Sequence, residues 1–336
     1  MGGVVIQSTN EMTLNILDTA WHLVHLYRLH ALPAEFTLLN CRDWLWNEYQ
    51  RPQPPNFRGG IEAGAIKVGQ FDLALVHLDQ WVDRFPHRAL PFRVVRQKAR
   101  ELGIPAVCIM HGTPDHAENR LNVLRLLGDM PCVCNSHTAA VEWDGGEERL
   151  DRYGLPQFRS IIHGYDVDEF WSEPAERRRR VVVSICSGGS VSGWYHGTPI
   201  LERLIRDVPL EWYGPYGNRD WLPNYEEYRA MLASSLIYFS PSRRAPMPGS
   251  RTEAMLSGCC VVSLPGQDWE TYIDNGINGF IVQNYDDIVS TLRRLLDEHE
   301  YASQVGETGR HLARGAFTSE EYVTDWMKLL GELRVV

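Results

Sequence analysis

Short runs rich in Val, Ile, Leu, Phe and Cys recur along the chain, and ten or more residues of helical period separate most of them from the next. This alternation constrains the fold more than any other feature. A strand that returns parallel to its neighbour needs a crossover of about a dozen residues, and strands buried on both faces read as continuous apolar runs. The runs TLNILDT (13–19), EFTLLN (35–40), DLALVHL (72–78), PAVCIM (105–110), PCVCN (131–135) and FRSII (158–162) predict one parallel sheet. VVVSIC (181–186), PLEWYG (209–214), LIYFS (236–240), CCVVSL (259–264) and GFIVQ (279–283) predict a second. Between them lie helical stretches such as DDIVSTLRRLLDEHE, where Ile288, Leu292, Leu295 and Leu296 share one face. The fold class expected is therefore α/β with two parallel sheets, and 336 residues are enough for two cores of ordinary size.

The apolar rhythm breaks at HGYDVDEFWSEPAERRRR (163–180), where glycine, proline and a charge run intervene. This places an N-terminal unit at 1–165 and a C-terminal unit at 166–317. The final segment TSEEYVTDWMKLLGEL opens on a capping Thr/Ser and sets Tyr322, Trp326, Leu329 and Leu330 on one face, so helix 318–333 is expected to pack back on the first unit. The four arginines 177–180 read as a solvated linker, and residues 1–12 form no clear element.

Charge and cysteine usage narrow the function. A formal net charge of -10 argues against a protein that grips polyanions over its whole surface, so nucleic acid and anionic membrane are poor partners. Cysteines at 41, 108, 132, 134, 186, 259 and 260 sit mostly inside apolar runs without metal-ligand spacing, as expected of reduced, buried thiols in a cytoplasmic protein. No run of 18 apolar residues suggests a membrane span, and the first residues do not read as a signal peptide.

Two doubly wound units facing one another create a cleft at the C-terminal ends of both sheets, where loops and helix N-termini offer N–H groups to anions. A nucleotide diphosphate suits such a cleft. SICSGGSVSG (184–193) follows a strand and precedes the helical TPILERLI, so Gly188 and Gly189 can let the backbone approach a phosphate, although a plain tight turn accounts for them equally well. The spacing is neither GxGxxG nor a Walker loop, which weakens dehydrogenase and ATPase readings.

CNSHTAAVEW (134–143), IIHGYDVDEFW (161–171), YRAMLASSLIYFSPS (228–242), SRTEAMLSGCCVVS (250–263) and DNGINGFIV (274–282) resemble, in order and spacing, segments of the retaining GT-B glycosyltransferases of family 4. The resemblance covers most of 105–300 and is faint before residue 70. It implies two Rossmann-like domains facing a cleft. It also implies transfer of a hexosyl or related sugar, with retention, from a nucleotide-diphosphate sugar to an acceptor hydroxyl, without metal or added cofactor. By resemblance Glu253 is the second glutamate of the family's Glu, seven residues, Glu motif, whose carboxylate takes two ribose O–H donors and faces an open cleft when no donor is bound. Its plainer role is a first-turn acid favoured by the helix dipole.

The chain also departs from that pattern. Ala245 stands where the first glutamate belongs, and Ser187 and His196 stand near the usual arginine and lysine that neutralise the diphosphate. Substitutes are Arg243, Arg244, Arg251, the backbone donors of Gly249, Ser250, Arg251 and Thr252, and a protonated His196. With Tyr213 at the end of PLEWYG and Gly188 and Gly189, these residues form the expected donor site around Glu253. His22, just beyond a strand end, and His111, directly after PAVCIM, are the expected contacts at the reacting sugar or acceptor, while His25 and His30 read as ordinary helix residues. A zinc pair through His22 and His25 lacks a third ligand of sensible spacing. Asp166 and Asp168 imitate a metal-binding DxD, but at the domain crossover they read as turn or hinge residues.

The mechanism implied is front-face transfer, in which the departing phosphate takes the acceptor proton and charge stabilisation supplies most of the catalysis. Three alternatives share the cleft: a nucleotide-sugar 2-epimerase, a catalytically weak nucleotide-sugar binder, and a phage-type DNA base glycosyltransferase. The acceptor stays open among glycan, lipid, small molecule and modified nucleic acid base. No stable membrane insertion is expected.

Overall fold

A computed structural model describes residues 13–40, 46–145, 158–185, 193–266 and 268–335. The first sheet holds β1 (Leu14–Thr19), β2 (Ala34–Leu39), β3 (Phe57–Ile61), β4 (Leu73–Leu78), β5 (Ala106–Met110), β6 (Cys132–Cys134) and β7 (Phe158–Ser160). Its order is β3-β2-β1-β4-β5-β6-β7, and every pairing is parallel. The second holds β8 (Arg179–Ile185), β9 (Leu210–Tyr213), β10 (Ser235–Ser240), β11 (Cys260–Ser263) and β12 (Phe280–Ile281) in the parallel order β12-β11-β10-β8-β9. The two-sheet α/β fold expected from the apolar runs is thus the fold observed. β3 escaped that reading because FRGGI is a short edge strand with two glycines, and an edge exposed along much of its length has no need of a continuous apolar run.

The order in which strands are added to the sheet reverses between β1 and β4, so the crevice beside their C-terminal ends is the switch point at which open α/β sheets hold ligands. The crossover helices of this unit are α1 (Leu23–Leu29), α2 (Leu90–Leu102), α3 (Ala117–Leu127) and α4 (His137–Asp144). α5 (Gly193–His196), α6 (Thr198–Leu204), α7 (Tyr225–Ala233), α8 (Gly249–Leu256), α9 (Tyr285–Asp297) and α10 (His299–Ala316) surround the second sheet. In α9, Ile288, Leu292 and Leu295 are buried in one apolar cluster with residues of β8, β10 and β11, with Leu296 partly covered.

The last helix, α11 (Ser319–Glu332), leaves the second sheet and covers the first. Thr318 caps it by accepting the Glu321 N–H, and Tyr322, Trp326, Leu329 and Leu330 are buried among Leu14, Ile16, Leu26 and Phe36. Backbone bonds from Tyr165 to Phe317 and from Ser319 to Tyr165 pin both crossings side by side. Each such fully buried apolar side chain contributes roughly 1.5–3 kcal/mol, so this face is a substantial tie between the halves.

The arginine run is not the solvated linker its composition suggests. Arg178 is buried, donating to the Gly258 and Glu173 carbonyls, the Ser172 hydroxyl and Glu307. The guanidinium's several N–H groups let it serve the ends of several elements at once, which a run of identical letters conceals. Arg177 remains exposed. Cys108, Cys132, Cys134, Cys259 and Cys260 are buried and unbridged.

Candidate active site

At the C-terminal edge of the first sheet, β1 carries Asp18 as its penultimate residue, β4 carries His77, and His111 follows β5. The chain then turns through Trp21 and His22 into α1, which buries His25 and Arg28 one turn apart. These elements gather a histidine cluster. His77 Nδ1 lies 2.7 Å from His111 Nε2, and His77 Nε2 lies 2.7 Å from Asp18 Oδ1. His25 Nδ1 lies 2.6 Å from Nε2 of His163, on the crossover between the halves. The His25 ring meets that of His111 edge-on at 4.7 Å, and His22 lies 6.4 Å from His111.

The two histidines expected at the reacting sugar are therefore brought together, and His25 is not an ordinary helix residue. His30 has a local role, its Nδ1 set against the Tyr27 carbonyl. His77, His163 and Asp18 escaped sequence reading because each lies within or beside an apolar run, where a polar residue reads as a satisfied core group.

Four of its imidazoles, those of His22, His25, His111 and His163, are held neutral. Surrounding protein, aided by the charges of Arg51, His196 and His77, pulls the His22 pKa to about 4, although its surface is still reached by water. Burial first, then Arg28 and His22, brings His163 to about 3. Burial and neighbouring histidines hold His25 and His111 well below the usual imidazole range. At neutral pH these groups are hydrogen-bonding imidazoles rather than cations. Among the described residues no group of three or more His, Cys, Asp and Glu is arranged to hold a metal ion.

The second unit presents α8 to this edge. A Cβ on Gly249, its first residue, would lie 3.3 Å from Val24 Cγ1 and 3.6 Å from the Tyr165 hydroxyl, so glycine lets the helix start close onto α1. Ser250 accepts a bond from Tyr238 at 2.8 Å, and Thr252 is buried. Arg251 faces inward, its guanidinium 4.0 Å over the Trp269 ring and bonded to Ser263 at 3.2 Å, with burial pulling its pKa to about 9.

Glu253 is completely buried. Its Oε1 accepts from Arg51 at 2.8 Å and from Arg28, and its Oε2 accepts from Tyr228. Burial alone would raise its pKa, but Arg51, Arg28 and the Tyr228 hydroxyl outweigh it and hold the carboxyl below its usual range. The sequence reading has this carboxylate facing an open cleft; the structure instead fills it with guanidinium groups from 202 and 225 positions away. A buried carboxylate needs such partners, and separations of that size leave no local signature. Arg28 also lies 3.5 Å from Glu169 and 4.1 Å from the Tyr165 ring centre, while Arg51 covers Tyr225 at 4.3 Å.

The remaining expected residues line the seam or lie away from it. Arg244 bonds the Pro114 carbonyl at 3.0 Å and Glu142 at 3.1 Å across the seam. Nearby, Tyr195 donates to Asp115 at 2.7 Å and Asn135 to the Pro246 carbonyl at 2.8 Å. His196 is half-buried and its pKa is lowered by that burial, which disfavours the protonated form expected at a diphosphate. Tyr213 is buried and donates to Glu211 at 2.9 Å. Gly188, Gly189 and Ser187 lie outside the described residues. Asp166 accepts the Asp168 N–H at 3.0 Å, and Asp168 pairs with Arg314 at 2.6 Å, so both are engaged within the crossover.

This architecture is the GT-B fold. Residues 218–312, which include α7, α8 with Glu253, α9 and most of α10, match the family described as glycosyl transferases group 1. Over nearly the whole chain the fold is similar to that of Anabaena Alr3699/HepE, solved in complex with UDP-glucose, at 14% identity and a TM-score of 0.71, covering 95% of this chain and 100% of that one. Sucrose-phosphate synthase from Thermosynechococcus elongatus superposes with a TM-score of 0.65 at 13% identity, covering 95% and 99% of the two chains. A glycosyltransferase from Rickettsia africae gives 0.64 at 13% identity, covering 96% and 98%. No curated protein sequence matches the chain.

Proposed function

We propose that this protein transfers a sugar, a hexose or a close relative, from a nucleotide-diphosphate sugar to an acceptor hydroxyl. The observation that carries this reading is the match of residues 218–312 to glycosyl transferases group 1, because that span contains α8, whose first residue packs against Val24 of α1, the helix that carries His25. Similar folds solved with UDP-glucose, UDP and glucose make UDP-sugars the first donors to test. Transfer proceeds with retention and without a metal: the leaving phosphate accepts the acceptor proton, while backbone donors at the start of α8 and cations of the 243–244 loop offset its charge. His22 and His111 are both neutral, which suits hydrogen bonding to sugar hydroxyls better than charge neutralisation. The buried, unbridged thiols fit a cytoplasmic setting.

The test is a thermal-shift panel of nucleotide-sugars followed by donor hydrolysis and product stereochemistry. A ligand bound only by the native state raises its stability, by about 2.7 kcal/mol at a hundredfold excess over Kd. No shift and no hydrolysis with any donor would remove the proposal.

A further inference from the structure

The C-terminal edge of the first sheet holds an ordered chain of side chains from three adjacent strands: Asp18 on β1, His77 on β4 and His111 after β5. Asp18 and His77 are sealed from water, at 0% and 1% exposure, while His111 is half-buried and stacked on Trp21 with ring centres 6.1 Å apart. Asp18 Oδ1 accepts the Thr19 N–H at 2.6 Å, so this oxygen acts as an acceptor and its 2.7 Å contact with His77 Nε2 is donated by the histidine. A neutral imidazole has one donor and one acceptor nitrogen. In a singly protonated His77, Nδ1 is then a lone pair, and the proton in its 2.7 Å bond belongs to His111 Nε2. His111 Nδ1 is left unprotonated. No described residue bonds that nitrogen, and it is not among the sealed unpaired atoms nearby, which include Asp18 Oδ2, His25 Nε2 and His163 Nδ1.

We infer that Asp18 and His77 are positioning residues that fix His111 as its Nε2–H tautomer, leaving an Nδ1 lone pair that accepts a hydrogen bond from a sugar hydroxyl. The sugar in this statement rests on the glycosyl-transfer reading above; the tautomer does not. Burial, with His77, His22 and His163 close by, keeps the imidazole neutral and the lone pair free. No proton travels along the chain. Its effect is directional, because one anchored carboxylate sets donor and acceptor through two rings.

The experiment is a long-range proton–nitrogen correlation spectrum of the full chain labelled with nitrogen-15 histidine, with His77 and His111 assigned through His77→Gln and His111→Gln. The wild type is expected to show a protonated Nε2 and an unprotonated Nδ1 on His111. Asp18→Ala removes the oxygen that holds the His77 Nε2–H, so His77 can present either nitrogen to His111 and His111 takes up the Nδ1–H form in part. With UDP-glucose as the probe, kcat for donor turnover should fall about tenfold while KM stays within about threefold, as expected for a misoriented imidazole in an intact site. His77→Gln severs the chain and should give His111 in mixed tautomers, which keeps the test open if Asp18→Ala does not fold. An Nδ1–H His111 in the wild type, or a His111 spectrum unmoved by both substitutions, overturns the inference. A wild type that turns over no nucleotide-sugar overturns the functional reading alone, since the spectrum decides the tautomer without any donor.

Discussion

The guanidinium of Arg51, on a loop of the first unit, lies 2.8 Å from the carboxylate of Glu253 in α8 of the second, with 7% and 1% of the two side chains exposed. Arg28 approaches the same oxygen and also lies 3.5 Å from Glu169, so Glu253 is the carboxylate shared by two buried cations between the halves. Breaking such a group by removing one partner typically costs about 3–5 kcal/mol, because the charges left behind stay out of water. Glu253→Gln is therefore expected to lower the stability of the donor-free protein by that order in urea titration. A midpoint within error of wild type would show that the guanidinium groups find other anions.

Acid should loosen the histidine cluster. His25, His111 and His163 have folded pKa values below the unfolded value near 6.5, so the folded state binds fewer protons. Their contribution is complete above pH 6.5 and falls away as pH drops below it, by roughly 2 kcal/mol between pH 7 and 5 for each fully sealed ring. Glu253, whose pKa is lowered, adds a loss only below its unfolded value near 4.5. Stability from chemical denaturation at pH 7 and pH 5 checks this, and a flat profile over that interval would contradict it.

Trp326 is fully buried on α11 against the first sheet. Trp326→Ala should cost about 3–5 kcal/mol, and truncation before Thr318 should destabilise both halves in calorimetry, because the helix closes the first core from the far end of the chain. A truncated protein melting as wild type would rule out that role.

Asp268 has φ of 65° and reaches across the seam to cap α4, accepting from the backbone of His137 and, at 2.9 Å, of Thr138. Asp268→Asn tolerates the left-handed backbone but removes the charge at the helix N-terminus, and should cost about 1 kcal/mol. Asp268→Ala adds backbone strain and should cost more. Equal stabilities for the two variants would show that neither the side-chain cap nor the left-handed backbone distinguishes them.

Donor hydrolysis is expected to persist in excess chelator, since Asp166 and Asp168 are engaged by a backbone N–H and by Arg314. Loss of activity in chelator, restored by manganese or magnesium, would count against metal-free transfer.

The sequence by itself determined the architecture: uninterrupted apolar runs separated by helical stretches admit little besides parallel sheets, and the faces of α9 and α11 are legible from spacing alone. It also singled out His22 and His111, because a histidine just past a strand end faces the edge where such sheets hold ligands. What surrounds those residues was decided by tertiary structure. The partners of Glu253 lie on α1 and a loop of the other unit, and the Asp18, His77 and His111 chain runs across strands far apart in sequence. Arg178 shows the same limit, reading as one of four exposed arginines until the fold brings Gly258 and Glu307 to it. Local periodicity reports which face of an element avoids water; the pairing of buried charges and imidazoles depends on which elements meet, and only the folded chain fixes that.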